Sequence, residues 1–222
     1  MNYKEIIPLS CEEAQKKIHS GNIEEICDAL VSIAFFEPDW HWAQSIFRKF
    51  VNHKDENVRG LAILCFGHLA RIHQQLNTEI VVPIIIQALT DSSTFVKEHA
   101  DSALDDVLMF CTSNEYNQQL SISDINSGCI DRILLGIKAI VRNDDNLLFA
   151  QEQCIRLSND SNQIVRGIAL ISFADIANRH EKLDIETIMP ILSKAEKEDT
   201  SSFVRTHAES AIDCIKTALS DL

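Results

Sequence analysis

Asp91-Ser-Ser-Thr-Phe95-Val96-Lys97-Glu98-His99-Ala100-Asp101-Ser102-Ala103-Leu104-Asp105 returns near the end of the chain as Asp199-Thr-Ser-Ser-Phe203-Val204-Arg205-Thr206-His207-Ala208-Glu209-Ser210-Ala211-Ile212-Asp213, 108 positions later. Val96, Ala100, Ala103, Leu104 and Val107 keep the spacing of an amphipathic helix, with alanines where neighbouring helices must approach closely. Upstream of this stretch the same kind of recurrence holds at 107 positions. Val58-Arg59-Gly60, Ala62, Phe66, Ala70 and His73 reappear as Val165-Arg166-Gly167, Ala169, Phe173, Ala177 and His180, and Ser20-Gly21 reappears as Ser127-Gly128. Ala43-Gln44 and Pro83-Ile84 correspond in the same way to Ala150-Gln151 and Pro190-Ile191, after which one inserted residue moves the spacing to 108. The chain is a tandem duplication, with internal copies over 19–111 and 126–219.

A shorter period lies inside each half. The Val-Arg or Val-Lys pair recurs after 38 residues, from Val58 to Val96, and after 39, from Val165 to Val204. That period belongs to solenoids of helix pairs, in which each pair buries its apolar face only against its neighbours. Ser10 with Glu13 and Asn22 with Glu25 have capping-box spacing and mark helix starts on either side of Gly21. Helix pairs are expected at 11–19 with 23–35, 40–51 with 56–73 and 78–89 with 92–111. The duplication predicts three more at 115–126 with 129–142, 145–158 with 161–180 and 185–196 with 201–219. Pro83 and Pro190 are expected to kink the first helix of their pairs. The stretch at 91–105 resembles the second helix of a HEAT repeat. The resemblance implies an all-α, right-handed α-solenoid of about six HEAT-like helix pairs, with 1–222 forming a single solenoid domain. In that family the Asp and Arg of the motif pair with their counterparts in adjacent repeats. Arg59, Asp91, Lys97, Asp160, Arg166, Asp199 and Arg205 match this ladder, whereas His53 stands where Asp160 does.

Composition agrees with helices. Only 6 Gly and 4 Pro occur in 222 residues, too few turn residues for a many-stranded sandwich or barrel. With 20 Lys and Arg against 33 Asp and Glu the net charge is −13, which opposes a surface built to neutralise phosphates and favours basic protein partners over nucleic acid. The opening Met1–Glu5 has no charged-then-apolar segment, and no window reaches the roughly 18 apolar residues of a membrane span, so a cytoplasmic protein without membrane contact is expected. The seven cysteines (Cys11, Cys27, Cys65, Cys111, Cys129, Cys154 and Cys214) are widely spaced, without a C-x-x-C pair. They read as reduced thiols, most of them buried among aliphatic residues, and not as zinc ligands.

No catalytic motif is present: there is no H-E-x-x-H helix, nucleophile elbow, phosphate loop or dinucleotide fingerprint. No catalytic residue, metal or cofactor is expected. His99 and His207 occupy equivalent positions before a core alanine, where a structural role at a helix seam outweighs a shared metal site. His73 and His180 end the Val-Arg helices, where a cation is favoured by the helix dipole. Two enzyme classes share HEAT-like architecture. Deoxyhypusine hydroxylases carry several His-Glu dipeptides, but only His180-Glu181 occurs here. Alkylpurine DNA glycosylases use a basic concave face, which Trp40, Trp42 and Asp39 could imitate only against the net negative charge. Trp42 aligns with Phe149 at a core position, while Trp40, in the run Phe35-Phe36-Glu37-Pro38-Asp39-Trp40, falls in a loop where it could anchor a partner.

The acidic residues repeat in register. Glu98, Asp101 and Asp105 share one helical stripe, widened by Asp106, and their counterparts are Thr206, Glu209 and Asp213. Asp175 and Glu181 extend an acidic line on the neighbouring pair. Second helices usually line the concave face of such solenoids, so Glu98, Asp101, Asp105, Asp106, Asp175, Glu209 and Asp213, with Trp40, are the expected partner-binding residues. The chain resembles the HEAT-repeat immunity proteins of bacterial toxin systems, including contact-dependent growth inhibition. That resemblance implies a cognate toxin domain as partner, a basic nuclease in the favoured case, occluded by the acidic concavity. The alternatives are a cytosolic HEAT-repeat scaffold or adaptor, or a HEAT-like DNA glycosylase.

Overall fold

The computed structural model describes residues 5–111 and 116–219; the expected helix start at Glu115 lies outside the described residues. The chain divides into two compact units, Met1–Thr112 and Ser113–Leu222. Unit 1 holds α1 (Cys11–Ile18), α2 (Ile23–Phe36), α3 (Trp40–Phe47), α4 (Glu56–His73), α5 (Thr78–Ala88) and α6 (Thr94–Phe110). Unit 2 holds α7 (Gln118–Ile125), α8 (Ile130–Asn143), α9 (Leu147–Leu157), α10 (Gln163–His180), α11 (Ile185–Glu198) and α12 (Ser202–Ala218). Among the described residues all regular structure is helical, in six pairs, as the 38-residue period requires. Each first helix packs on the second helix of its pair, and the second helices pack in series: α2 on α4 on α6, and α8 on α10 on α12.

Local chemistry starts and stops these helices. Ser10 and Glu13 form the reciprocal capping box, and Asn22 accepts the backbone N–H groups of Glu24 and Glu25. Asp55 and its copy Asn162 each accept two backbone N–H groups at the start of α4 and α10. Gly21 and Gly128 take φ of 74° and 75° between the first and second helices, a region where an L side chain is strained. Gln74 and Glu181 end α4 and α10 in the same left-handed region, at φ of 54° and 52°, without a glycine. Helix α3 stops at Phe47, short of the expected 51, because the chain tightens into three-residue turns: Lys49, Phe50 and His53 donate to the carbonyls of Ile46, Phe47 and Phe50. Helices α5 and α11 run on through Pro83 and Pro190, both of which face solvent.

The repeated residues are spent on packing inside each unit. Val58, Ala62, Phe66, Leu69 and Ala70 of α4 are fully buried, as are Val96, Ala100, Ala103, Leu104 and Val107 of α6. Gly60 is required because the ring of Phe95 lies against it: a Cβ there would stand 2.7 Å from the ring, and one on Gly167 would stand 2.5 Å from Phe203. The rings of His99 and His207 pack at a tilt on those phenylalanines, with centroids 3.9 and 4.0 Å apart, each with Nδ1 2.8 Å from the carbonyl of the same Phe.

Two rungs of the expected ladder close. Arg59 forks onto Asp91 (Nε–Oδ2 2.7 Å, Nη2–Oδ1 2.9 Å) and also donates to the His53 carbonyl at 2.8 Å. Arg166 repeats this on Asp199, both contacts at 3.0 Å, and donates to the Asp160 carbonyl at 2.9 Å. The Arg59 guanidinium lowers the pKa of Asp91 to about 2, helped by the Ser93 N–H, and Arg166 likewise lowers that of Asp199. The side chain of Asp160 accepts the Asn162 N–H, and His53 reproduces that turn with its Nδ1 accepting from Asp55 at 3.1 Å. Substitution of His for Asp therefore keeps the loop, because the guanidinium uses the carbonyl of this position and not its side chain. Of the seven free thiols, Cys65 and Cys154 are buried and Cys27 and Cys111 half-buried, whereas Cys11, Cys129 and Cys214 are exposed, fewer in the core than aliphatic spacing implies. Burial raises the thiol of Cys111 to about 12.

Candidate partner-binding surface

The expected partner-binding residues separate into outward-facing groups and groups engaged within their own unit. Glu98 and Asp105 are exposed on one stripe of α6, with Asp101 half-buried between them. Glu209 and Asp213 are exposed one turn apart on α12. The Asp213 carboxylate is 75% exposed, and Lys216 approaches it only to 3.9 Å, a contact that water screens strongly.

Asp175 is different. Its Oδ2 lies 2.6 Å from Nζ of Lys138, whose side chain is only 8% exposed, so this carboxylate balances a buried cation between α8 and α10. The equivalent positions in unit 1 are Val31 and His68, an apolar contact position and a ring that packs on Phe35 at 4.9 Å. Asp106 points toward α4, where a Cβ on Gly67 would meet its Oδ2 at 3.0 Å. Glu181 is the left-handed cap of α10. These three acids serve the framework.

Trp40 also departs from expectation. It is the first residue of α3, half-buried, and not part of an open loop. Asp39 caps α3 by accepting the N–H groups of His41 and Trp42, which starts the helix at the tryptophan. The indole Nε1–H then donates to Gln75 Oε1 at 3.2 Å, and the ring stacks on His41 at 3.6 Å. Asp39 is thus a helix cap, and the aromatic residue left most open in this neighbourhood is Phe36, 47% exposed.

One polar cluster escapes motif scanning. In unit 2, buried Asp144 accepts from Tyr116 Oη at 2.6 Å, Gln118 Nε2 at 2.7 Å and the Asn146 N–H at 2.8 Å, while Arg179 donates to the Asp144 carbonyl and, at 2.7 Å, to Asp145 Oδ1. Burial opposes its charge, but the Tyr116, Asn146 and Gln118 donors hold the Asp144 carboxyl below its ordinary pKa. The signal that finds such clusters is a break in the duplication: Asp144 corresponds to Glu37 and Arg179 to Ile72.

None of the described helices is long and apolar enough to cross a membrane. No family model matches the chain, and no curated protein matches it. Among solved structures the chain is similar to a chain of the CDI complex from Cupriavidus taiwanensis LMG 19424, at 34% identity over 50% of this chain and 97% of that one, with a TM-score of 0.45. It is similar to the designed armadillo repeat protein YIII(Dq)4CqI at 20% identity, over 92% of this chain and 98% of that one, with a TM-score of 0.43. It is similar also to the archaeal HEAT-like repeats protein from Thermococcus onnurineus NA1 at 15% identity, over 96% and 99% of the two chains, with a TM-score of 0.38. Helices in tandem pairs, second helices packed in series within each unit and Arg–Asp rungs joining successive pairs give the chain a HEAT-like helical-repeat architecture.

Proposed function

We propose that the protein is an immunity protein that neutralises a cognate toxin domain by binding it, and that it has no catalytic role of its own. The observation that carries this reading is the division of labour among its polar residues. The repeated Arg, Asp, Gly and Gln positions are consumed inside each unit, while Glu98, Glu209 and Asp213 are exposed on the last second helix of each unit. Carboxylates held on rigid helices are suited to pairing with Lys and Arg of a partner, with charge complementarity raising the association rate. A toxin as partner is supported by the 34% identity, over half of this chain, to a chain of a CDI complex. A nuclease is the favoured toxin, because its basic cleft for phosphates is the surface that a chain of net charge −13 would cover. The protein then acts in the cytoplasm, where the toxin would meet its substrate.

The test is capture of the partner from the source organism with the tagged protein, identification by mass spectrometry, and assay of its nuclease activity with and without the protein. A stoichiometric basic domain silenced on binding supports the proposal. Recovery of housekeeping proteins alone would replace it with a scaffold.

A further inference from the structure

In unit 1, residues 5–9 run ahead of α1 as a non-helical strap against α2. Pro8 lacks a backbone donor and biases Ile7 toward an extended backbone, so this stretch stays out of the helix that Ser10 caps. The strap is tied to α2 through one hydroxyl: buried Ser32 accepts the Leu9 N–H at 3.0 Å and donates to the Ile7 carbonyl at 2.9 Å. Its apolar side chains are poorly covered, with Ile6 37% and Ile7 66% exposed. A cavity of about 300 Å³ remains beside it, walled by Ile6, Ile7 and Leu9 of the strap and by Cys27, Val31 and Leu61 of α2 and α4. The charged groups there are Glu5 of the strap and the pair Lys17 and Asp28, which joins α1 to α2 at 3.6 Å. Unit 2 closes the same place differently. Lys138 stands for Val31, and its ion pair with Asp175 joins α8 to α10 where unit 1 leaves Val31 on the cavity wall. Ala139 stands for Ser32, so the framework of a unit does not need the hydroxyl.

We propose that residues 5–9 are a displaceable strap, closed on Ser32 in this structure, which swings away about Leu9 and Ser10 to uncover the second helices of unit 1 at Cys27, Val31 and Leu61. A segment packed to the density of a protein interior would gain dispersion contacts along its whole length. This one leaves a void and half-covered isoleucines, so little packing opposes its release. Its tether is concentrated in a hydroxyl that accepts one bond and donates the other, so a single side chain governs both. Local opening of such a segment leaves the helices beneath it intact. The inference is independent of what the partner is.

The test follows alkylation of the full-length protein by iodoacetamide, with the rate at each cysteine read by mass spectrometry. Cys27, half-buried on the cavity wall, reports the strap. Cys65, fully buried with its Sγ on the Leu30 carbonyl, reports unfolding of the unit, and exposed Cys129 in unit 2 is the reference. Ser32→Ala, which installs the residue of unit 2, should speed alkylation of Cys27 about tenfold while Cys65 stays protected and Cys129 keeps its rate. An unchanged Cys27 rate, or Cys65 rising in step with Cys27 in a folded variant, would overturn the proposal. If Ser32→Ala does not fold, the wild-type protein decides in urea below its unfolding transition. There the Cys27 rate should stay nearly flat while the Cys65 rate climbs, and a parallel climb at the two thiols would overturn the proposal.

Discussion

Arg59 and Arg166 each spread one guanidinium over a carboxylate of the next helix pair and a carbonyl of their own loop, with side chains only 16% and 18% exposed. Replacing Arg166 by Ala strands Asp199 and the Asp160 carbonyl together, so a loss of about 2 kcal/mol is expected, read as an earlier urea midpoint; an unaltered midpoint would remove the rung from the account. The same contact sets an acid limit. Asp91 ionises near 2 in the folded protein against 3.8 as its ordinary value, so its contribution is complete above 3.8 and is lost as pH falls toward 2, where the unfolded chain takes up the proton first. Asp91→Asn should lower stability at neutral pH and flatten its decline below pH 3.8 in acid titrations followed by circular dichroism. At this scale the sequence was legible wherever a residue recurs, since Arg59, Asp91, Arg166 and Asp199 do what the ladder implies. It was not legible where the copies diverge: the charge of Asp175 is balanced by Lys138, 37 residues away, and no local spacing announces that pair.

The helices themselves were readable because their apolar periodicity is long and their caps are polar residues of the expected kind. Their ends were less so. Gln74 and Glu181 take left-handed caps without a glycine, and the buried amides of Gln44 and Gln151 tie down the loops that follow, each accepting one backbone N–H, from Asn77 and Asp184. Gln151→Leu should leave the helices in place and free that loop, costing about 1 kcal/mol and accelerating hydrogen exchange at the Asp184 amide; unchanged protection would show that the loop is held by other contacts. The early stop of α3 follows from three-residue turns after Phe47, which the longer α9 lacks through Leu157, so two segments related by duplication still differ in length.

Across the whole chain, duplication and charge were visible from the residues alone, and the first of them explains how a protein with 6 Gly and 4 Pro builds two compact units from one plan. The candidate surface was legible only in part. Glu98, Asp105, Glu209 and Asp213 face outward as their helical positions imply, but Asp106, Asp175 and Trp40 lie at positions that look equally polar or open in a linear sequence and are drawn inward by partners from other elements. Since Glu98, Glu209 and Asp213 are exposed on their helices, the variant Glu98→Lys/Glu209→Lys/Asp213→Lys should melt close to the wild-type protein. Its net charge rises by six, and long-range attraction of a basic partner weakens with it. The most direct measurement of the central claim is an inhibition titration of the captured toxin domain by the wild-type and triply reversed proteins at low and high salt. Inhibition by the wild-type protein that weakens with salt, and a reversed protein needing more than about tenfold higher concentration at low salt, is the predicted result. Equal inhibition by the two proteins would contradict the assignment of the acidic second-helix faces as the binding surface.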